Sequence, residues 1–271
     1  MSNLLIVGGG KMGGALLGGL LDRGAYAAAA VTVIEPLDDR RKEIEESYPG
    51  VRTVAAPEPG LLDEGGEVVR GAVLAVKPDQ AEGACRALGV SGVRRVLSIV
   101  AGVPCQRLEN ALGGEPAVVR AMPNTPALIG AGVAAMSGGS FARAADLAWA
   151  ESLLDSLGMV VRLPERHLDA VTGLSGSGPA YFFLVAESLI EAGVQMGLTR
   201  EVSTTLVVET MRGSAALLAE TGRDPASLRA DVTSPGGTTA AGVRTLEARA
   251  VRSAFMEAVA AATERSRNLQ R

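Results

Sequence analysis

The chain of 271 residues has few of the side chains that carry common catalytic chemistry. It contains one histidine, His167, and three lysines, Lys11, Lys42 and Lys77. Aromatic residues make up only 3%, so aliphatic side chains must fill the core, and a hydrophobic content of 47% is enough to build one. The net charge of −4 offers no basic footprint for nucleic acid.

Cysteine is equally scarce, because Cys85 and Cys105 are the only two in the sequence. Two cysteines outside a CxxC pair do not make a disulfide framework, so we expect two reduced, small hydrophobic side chains and no metal site. The longest apolar stretch, around residues 25–34, is far shorter than the roughly 20 residues that span a bilayer. Since no signal-peptide pattern is visible either, we expect a soluble, cytoplasmic protein.

Short β-branched runs alternate with helical patterns through the first 160 residues or so. We predict strands at residues 4–7, 31–34, 51–54, 72–76, 96–100, 118–120, 133–136 and 159–162. The intervening helices are predicted at residues 12–21, 38–47, 79–88, 104–112 and 141–157. This alternation is typical of an α/β fold, a Rossmann-like and mostly parallel sheet with helices on both faces.

The pattern changes after Pro164, where no convincing strand follows. Residues 181–196, 200–221, 226–230 and 239–265 all have helical patterns, several of them apolar over much of their surface. We therefore expect a dinucleotide-binding domain at residues 1–164 and an all-helical domain at residues 165–271. The helical domain should bury its apolar surface in a homodimer.

The most informative local motif lies at the start of the chain. Gly8, Gly10 and Gly13 fit the pattern G-x-G-x-x-G directly after a predicted strand and at the start of a helix. In this context the glycines allow a tight turn, close approach of a pyrophosphate and close packing of helix on strand. The amides of Lys11 and Met12 would face the phosphates at the helix N-terminus. The alternative is a glycine-rich turn without a ligand.

An acidic residue ends the second predicted strand. Glu35 stands 22 residues after Gly13, near the position of an acid that binds the ribose 2′-hydroxyl of NAD. Its charge would repel the 2′-phosphate of NADP, whereas Arg40 and Arg41 in the next helix could neutralise that phosphate. Glu35 could equally be a surface acid at the end of a strand. The choice between NADH and NADPH therefore stays open.

Four further segments stand out between the predicted elements: residues 75–78 (AVKP), 120–127 (RAMPNTPA), 172–181 (TGLSGSGPAY) and 231–239 (DVTSPGGTT). Loops between regular elements tend to carry function. Together with the glycine motif, these segments resemble the pyrroline-5-carboxylate reductase family over most of the chain. The third and fourth are highly specific to that family, whereas the glycine motif is not.

The resemblance implies reduction of 1-pyrroline-5-carboxylate to L-proline by NADPH or NADH, the last step of proline biosynthesis, in a homodimer that sometimes builds larger rings. It implies a set of residues that line the cofactor or lie near the nicotinamide: Ala75, Val76, Lys77, Pro78, Ala101, Gly102, Met122, Pro123 and Asn124. It implies that Ser234, Gly237, Thr238 and Thr239 hold the substrate. Many relatives have a small or neutral residue where Glu35 stands, which suits NADPH.

The chemistry of the substrate fits the loop that precedes the last helix. Backbone amides and hydroxyls can bind a carboxylate without lysine or arginine, and Gly236 and Gly237 let the backbone come close. The hydroxyl of Thr239 could then bind the ring nitrogen, so we take Thr239 as the catalytic candidate. Because an iminium substrate needs no strong side-chain acid, the poverty of acid–base residues is no obstacle. The alternative is a turn that only caps a helix.

Four other functions deserve comparison. A hydrolase elbow at Ser175 or Ser177 fails because no histidine follows it. A 3-hydroxyacid dehydrogenase would use a lysine in the helical domain, and none occurs after Lys77. An imine reductase with another substrate differs only in the family-specific loops. A redox sensor that binds the dinucleotide without turnover would not need the substrate loop.

Overall fold

The fold is described by a computed structural model that covers residues 4–57, 71–89 and 93–269. The strands are β1 (Leu4–Val7), β2 (Val31–Ile34), β3 (Arg52–Val54), β4 (Gly71–Leu74), β5 (Arg95–Ser98), β6 (Ala117–Met122), β7 (Gly132–Gly138) and β8 (Gly158–Arg162). They form one sheet of eight strands in the order β3-β2-β1-β4-β5-β6-β7-β8.

The helices are α1 (Lys11–Asp22), α2 (Asp38–Ser47), α3 (Ala81–Gly89), α4 (Cys105–Leu112), α5 (Ala144–Leu154), α6 (Leu168–Val171), α7 (Gly178–Gln195), α8 (Arg200–Thr221), α9 (Pro225–Asp231), α10 (Thr238–Ala248) and α11 (Val251–Asn268). Among the described residues, no helix is both long and apolar enough to cross a membrane.

The sheet is parallel except at one pair of strands. Strands β1 to β6 all run in the same direction, β7 pairs antiparallel with β6, and β8 is parallel to β7. The prediction of a mostly parallel, Rossmann-like sheet followed by helices is therefore confirmed. The antiparallel step was not predicted, because strand patterns indicate burial and not direction.

Helices cover both faces of this sheet. In β1, Leu4 and Ile6 pack into one hydrophobic cluster with α1, α2 and α5, whereas Leu5 and Val7 pack into a second cluster with α3 and α4. Successive strand residues point to opposite faces, so a strand buried on both sides needs apolar residues throughout. The sequence of β1, LLIV, meets this requirement and all four residues are buried.

Backbone contacts divide the chain into two compact units. The first unit contains the described residues up to Ser177 together with those from Ala260 onward, and the second unit is Gly178–Val259. The helix α11 is thus shared, with its last turns in the first unit. The expected domain boundary between residues 164 and 165 directly follows the last strand and stays a prediction.

Three local predictions were wrong, two about helices and one about a loop. Residues 239–265 do not form one helix, because Ala250 adopts a left-handed conformation (φ 53°) that separates α10 from α11. An alanine accepts this conformation only at a cost of about 1–2 kcal/mol, and nothing in the local sequence signals the break. The helix expected at residues 141–157 begins three residues later, where the carboxylate of Asp146 accepts the backbone amide of Arg143 at 2.9 Å.

The third error concerns the segment at residues 172–181, which we expected to be a loop. Thr172–Gly176 forms a π-helical turn that leads into α7. Its wider ring is closed by the amide of Ser177, which donates to the carbonyl of Thr172 at 2.8 Å. π-helical turns are frequent at functional sites, so the segment remains of interest although its conformation was misjudged.

Candidate active site

The glycine motif lies where the order of the strands reverses. From β1 the chain moves outward to β2 and β3 and then returns to β4 on the other side of β1. In open parallel sheets a ligand binds at this switch point, beside the carboxyl ends of the strands. The loop after β1 and the loop after β4 meet there, because the amide of Ala75 donates to the carbonyl of Val7 at 2.8 Å.

Two of the glycines have no room for a side chain. Gly8 has a φ of +102°, and a Cβ atom there would lie 2.6 Å from the carbonyl oxygen of Ala75. A Cβ atom on Gly13 would lie 2.0 Å from the carbonyl oxygen of Gly8. Strand β1, strand β4 and helix α1 therefore approach one another more closely than any other residue would allow.

The third glycine serves a different purpose, because a Cβ atom on Gly10 would meet nothing within 4 Å. It is exposed at the start of α1, whose first helical hydrogen bond runs from the Gly14 amide to the Gly10 carbonyl at 2.8 Å. The preceding amides of Lys11, Met12 and Gly13 are those that a helix leaves for an anion. This surface fits a pyrophosphate.

A cleft of about 550 Å³ begins at Gly9, Gly10 and Lys11. It continues along α1 and α2 to Arg23 and Tyr48 instead of following the carboxyl edge of the sheet. The residues after β4 do not line it. The loops after β1 and β4, and not this cleft, therefore mark where a dinucleotide fits.

The carboxylate of Glu35 is buried and is bound to the glycine loop. Its Oε2 accepts the amide of Gly9 at 2.9 Å, and its Oε1 accepts the amide of Leu37 at 3.1 Å. The side chain thus braces the loop in addition to standing at the end of β2. The sequence motif did not reveal this second role, because the partner is a backbone amide.

The two arginines of α2 differ in how they are held. The guanidinium of Arg41 donates to the carbonyls of Glu35 at 2.9 Å and Pro36 at 2.8 Å and pairs with Asp38, so it braces the strand end. The guanidinium of Arg40 donates to the Gly9 carbonyl at 2.7 Å and pairs with Glu43. Arg40 therefore places a cation from α2 beside the glycine loop.

The residues that the resemblance places around the nicotinamide follow three neighbouring parallel strands. Residues 75–78 follow β4, and Ala101 and Gly102 follow β5. Met122 is the last residue of β6, and Pro123 and Asn124 follow it. All of these positions therefore lie at one edge of the sheet. The side-chain Oδ1 of Asn124 accepts the Val133 amide at 2.9 Å, which holds its own loop and leaves the amide nitrogen for a ligand.

Sequence reasoning missed a charged cluster just behind this edge. Arg120 in β6 is 4% exposed, and its guanidinium contacts Glu165 Oε1 at 3.3 Å and Asp169 Oδ1 at 3.4 Å. The same Asp169 oxygen accepts the hydroxyl of Ser266 at 2.8 Å. An arginine inside the otherwise apolar run AVVRAM was the available signal, since a buried charge needs a partner.

Neither cysteine offers a reactive thiolate. Burial raises the pKa of the Cys85 thiol to about 12. Burial, with the nearby carboxylate of Glu165, also raises the pKa of Cys105 well above its usual range. Both side chains therefore stay protonated at neutral pH and behave as the small hydrophobic residues expected from the sequence.

The predicted substrate loop, residues 231–239, lies in the second unit, in front of α10. Gly236 has a φ of +71°, and the Gly237 amide donates to the carbonyl of Ser234 at 3.0 Å, which closes a turn. Helix α10 begins at Thr238, and its first helical bond runs from the Ala241 amide to the Gly237 carbonyl at 3.2 Å. The amides of the first turn are thus presented together with the half-buried Thr239.

The doubly wound sheet, with its glycine loop at the switch point and an acid at the end of β2, defines a dinucleotide-binding oxidoreductase. Residues 3–102 match the family described as NADP oxidoreductase, coenzyme F420-dependent. Residues 165–269 match the family described as pyrroline-5-carboxylate reductase dimerisation. The chain belongs to the pyrroline-5-carboxylate reductase family.

Relatives in this family align with the chain over nearly its whole length. The pyrroline-5-carboxylate reductase of Synechocystis sp. is 41% identical over 266 residues, which covers 97% of each chain. A pyrroline-5-carboxylate reductase structure from Coxiella burnetii is 35% identical, with a TM-score of 0.88 and coverage of 100% and 99%. The Plasmodium falciparum structure with NADP bound is 30% identical, with a TM-score of 0.85 and coverage of 99% and 98%.

The open space at Gly10 yields a test of the phosphate site. In the Gly10→Ala variant the backbone is unstrained, because Gly10 is extended (φ −69°, ψ −171°), but a methyl group stands where the pyrophosphate approaches. We expect dinucleotide binding to weaken by about tenfold or more, since a clash replaces backbone hydrogen bonds. Titration of the protein with NADH and NADPH measures this.

The matched control is Gly14→Ala, one turn further along α1, where an added Cβ atom also meets nothing within 4 Å. This change should leave dinucleotide binding intact and stabilise the helix by up to about 1 kcal/mol. Equal affinity in the two variants would mean that the phosphates do not approach Gly10.

Proposed function

We propose that this protein reduces the C=N bond of 1-pyrroline-5-carboxylate to give L-proline, with NADH or NADPH as the hydride donor. The observation that carries the proposal is that two helix starts, those of α1 and α10, each follow a glycine of positive φ and present backbone amides. One is built for a pyrophosphate, and the other, at residues 234–239, suits a small carboxylate. Close identity to reductases of this name supports the same substrate.

The chain supplies orientation and not acid–base chemistry. When bound, the dinucleotide supplies the hydride. The amides at the start of α10 hold the carboxylate, and the hydroxyls of Ser234, Thr238 and Thr239 surround it. Of these, Thr239 is the one partly withdrawn from solvent. We assign its hydroxyl to the ring nitrogen, where it fixes the face of the imine that is reduced.

The test of the function is direct. Oxidation of NADH and NADPH is followed with and without pyrroline-5-carboxylate, and with a cyclic imine that lacks the carboxylate as the comparison. We expect turnover only with the carboxylate, because the helix start binds it. Equal rates on both imines would indicate a general imine reductase, and no turnover with either would indicate a dinucleotide-binding sensor.

For the cofactor, we propose that NADH is used at least as well as NADPH. Glu35 places a buried carboxylate at the end of β2, and Arg41 is occupied by backbone carbonyls. The Glu35→Ser variant should shift the ratio of the two kcat/KM values toward NADPH by about tenfold or more. The reason is that the negative charge that repels the 2′-phosphate of NADPH is removed.

The control for this experiment is Glu35→Gln, which removes the charge but keeps an oxygen to accept the Gly9 amide. It separates the charge of Glu35 from its bracing of the loop. If both variants leave the cofactor ratio of the wild type unchanged, Glu35 does not discriminate between the two dinucleotides. If Arg40→Ala then impairs NADPH alone, Arg40 sets the preference.

The role of Thr239 is tested by Thr239→Val, which keeps the shape of the side chain and removes the hydroxyl. Loss of one hydrogen bond to a charged group costs about 1.5–3 kcal/mol. We therefore expect kcat/KM to fall by about 10- to 150-fold. The control is Thr245→Val in the same helix, where the lost hydroxyl bonds only to the carbonyl of Ala241.

His167 provides a second contrast, because this exposed side chain lies in the first unit before α6. His167→Ala should retain most of the activity. An inactive His167→Ala variant together with an active Thr239→Val variant would contradict the assignment of Thr239. It would instead support an alcohol dehydrogenase with a catalytic histidine.

For the assembly, we propose an obligate homodimer joined through the helices of the second unit. Within residues 178–259 only Gly178 and Ser203 are buried, so every hydrophobic side chain of this unit remains partly or largely exposed. Phe182, Phe183 and Leu184 are all more than 60% exposed. A patch of this kind marks an interface, and obligate interfaces are large and hydrophobic.

We expect a dimer in sedimentation velocity at micromolar concentration, with larger rings of dimers as a further possibility. Phe183→Glu should yield monomers, because a charge cannot be buried unpaired in such an interface. Leu128→Glu, which changes an exposed leucine of the first unit, should remain dimeric. An active wild-type monomer would contradict the proposal.

A further inference from the structure

We propose that Ser266 is a positioning residue, which acts through Asp169 and Arg120 on the turn at Ala101 and Gly102. The inference rests on the proposed function and on the family resemblance, which implies that this turn lies near the nicotinamide. Ser266 lies near the end of α11, about 160 residues further along the chain than the turn that it supports. Its side chain is 2% exposed, and its hydroxyl donates to Asp169 Oδ1 at 2.8 Å.

The last turns of α11 lie directly against Gly102. A Cβ atom on Gly102 would be 3.0 Å from the Cβ atom of Leu269 and 3.2 Å from the carbonyl oxygen of Ser266. Gly102 also has a φ of +74°, a conformation that favours glycine. The position of the turn after β5 therefore depends on where the end of α11 is fixed.

The same charged cluster also contacts two elements close to that turn, namely α4, which follows it, and β6, which pairs with β5. Glu165 Oε1, which contacts Arg120, accepts the Cys105 amide at 2.8 Å and so holds the start of α4. Arg120 itself belongs to β6 and stands two residues before Met122. A Cβ atom on Gly176 in the π-helical turn would lie 2.6 Å from Met122 Cε, so that turn closes over the end of β6.

The energetics make this cluster sensitive to a single change. A buried guanidinium must be paired, and removal of one partner leaves its charge uncompensated. The contacts of Arg120 with its two carboxylates are long, 3.3 and 3.4 Å, so the other hydrogen-bond donors to each carboxylate help to orient it. For Asp169 the Ser266 hydroxyl is such a donor.

A positioning role predicts a specific kinetic pattern. The phosphates of the dinucleotide are assigned to the glycine loop, whereas the contacts of the cluster are with Cys105, Glu165, Asp169 and Ser266. Displacement of the turn after β5 should therefore misplace the reacting ring while leaving affinity nearly unchanged. Misplacement by about 1 Å can reduce the rate by about a hundredfold.

The experiment compares Ser266→Ala with Ser156→Ala. Both remove a buried serine hydroxyl, and Ser156 is 5% exposed with its hydroxyl bound to the Leu153 carbonyl at 2.6 Å. We expect Ser266→Ala to lower kcat by about tenfold or more, with KM for the dinucleotide within about threefold of the wild type. Ser156→Ala should keep the wild-type kcat, although urea unfolding should detect a loss of stability in both variants.

The affinity for ADP-ribose, which lacks the nicotinamide, should be the same in both variants. The emission of the nicotinamide ring of bound NADH should change in Ser266→Ala alone. This fluorescence does not depend on the substrate. A wild type that fails to reduce pyrroline-5-carboxylate would therefore overturn the proposed function, while the positioning role would be decided by the emission of bound NADH.

Two results would overturn the positioning role: a kcat and NADH emission in Ser266→Ala like those of the wild type, or equal losses in Ser156→Ala. If Ser266→Ala does not fold, Ser266→Cys replaces it, because the thiol fills nearly the same space but donates only a weak hydrogen bond to Asp169. The same fall in kcat at constant KM is then expected, and a wild-type kcat would contradict the role.

Discussion

The whole cofactor edge depends on how closely β1, β4 and α1 approach one another. A Cβ atom added to Gly13 would lie only 2.0 Å from the Gly8 carbonyl oxygen, so no side chain fits between the strand and the helix. This contact sets the start of α1 at the carboxyl end of β1, so that its first amides face outward. Glu35 then ties the loop to β2 through the Gly9 amide, and the electrostatics of the site follow from that geometry.

The two ligand loops solve the same problem with the same means. Each places a glycine with positive φ before a helix, Gly8 before α1 and Gly236 before α10, and each leaves backbone amides at the helix start. An anion can be bound in this way without a long cationic side chain that would have to lose its rotamer freedom. Under the proposed function, the substrate loop therefore holds an anionic ligand although residues 231–239 contain no lysine or arginine.

Much of the fold could be predicted from local patterns, because a strand buried on both faces must be apolar throughout and a dinucleotide loop must have glycine at fixed spacing. The eight strands, the mostly parallel sheet and the helical C-terminal region followed from these constraints. The left-handed Ala250 did not, because alanine favours a helix, and the π-helical turn did not, because glycine and serine favour a loop. Tertiary contacts decide the outcome in both places.

The site was only partly predictable for the same reason. The glycine spacing and the family-specific segments identified candidate ligand loops at both helix starts. The second function of Glu35 and the cluster of Arg120, Asp169 and Ser266 depend on contacts between residues far apart in sequence. No local pattern encodes such contacts, although an arginine within a buried strand signals that carboxylates must be near.

The most direct measurement is a crystal structure of the protein with oxidised dinucleotide and L-proline. We predict that the pyrophosphate lies within hydrogen-bond distance, about 3 Å, of the amides at the start of α1. We also predict that the proline carboxylate contacts the amides at the start of α10 and that the ring nitrogen forms a hydrogen bond with the hydroxyl of Thr239. A proline carboxylate held by an arginine, or a ring nitrogen remote from Thr239, would contradict these predictions.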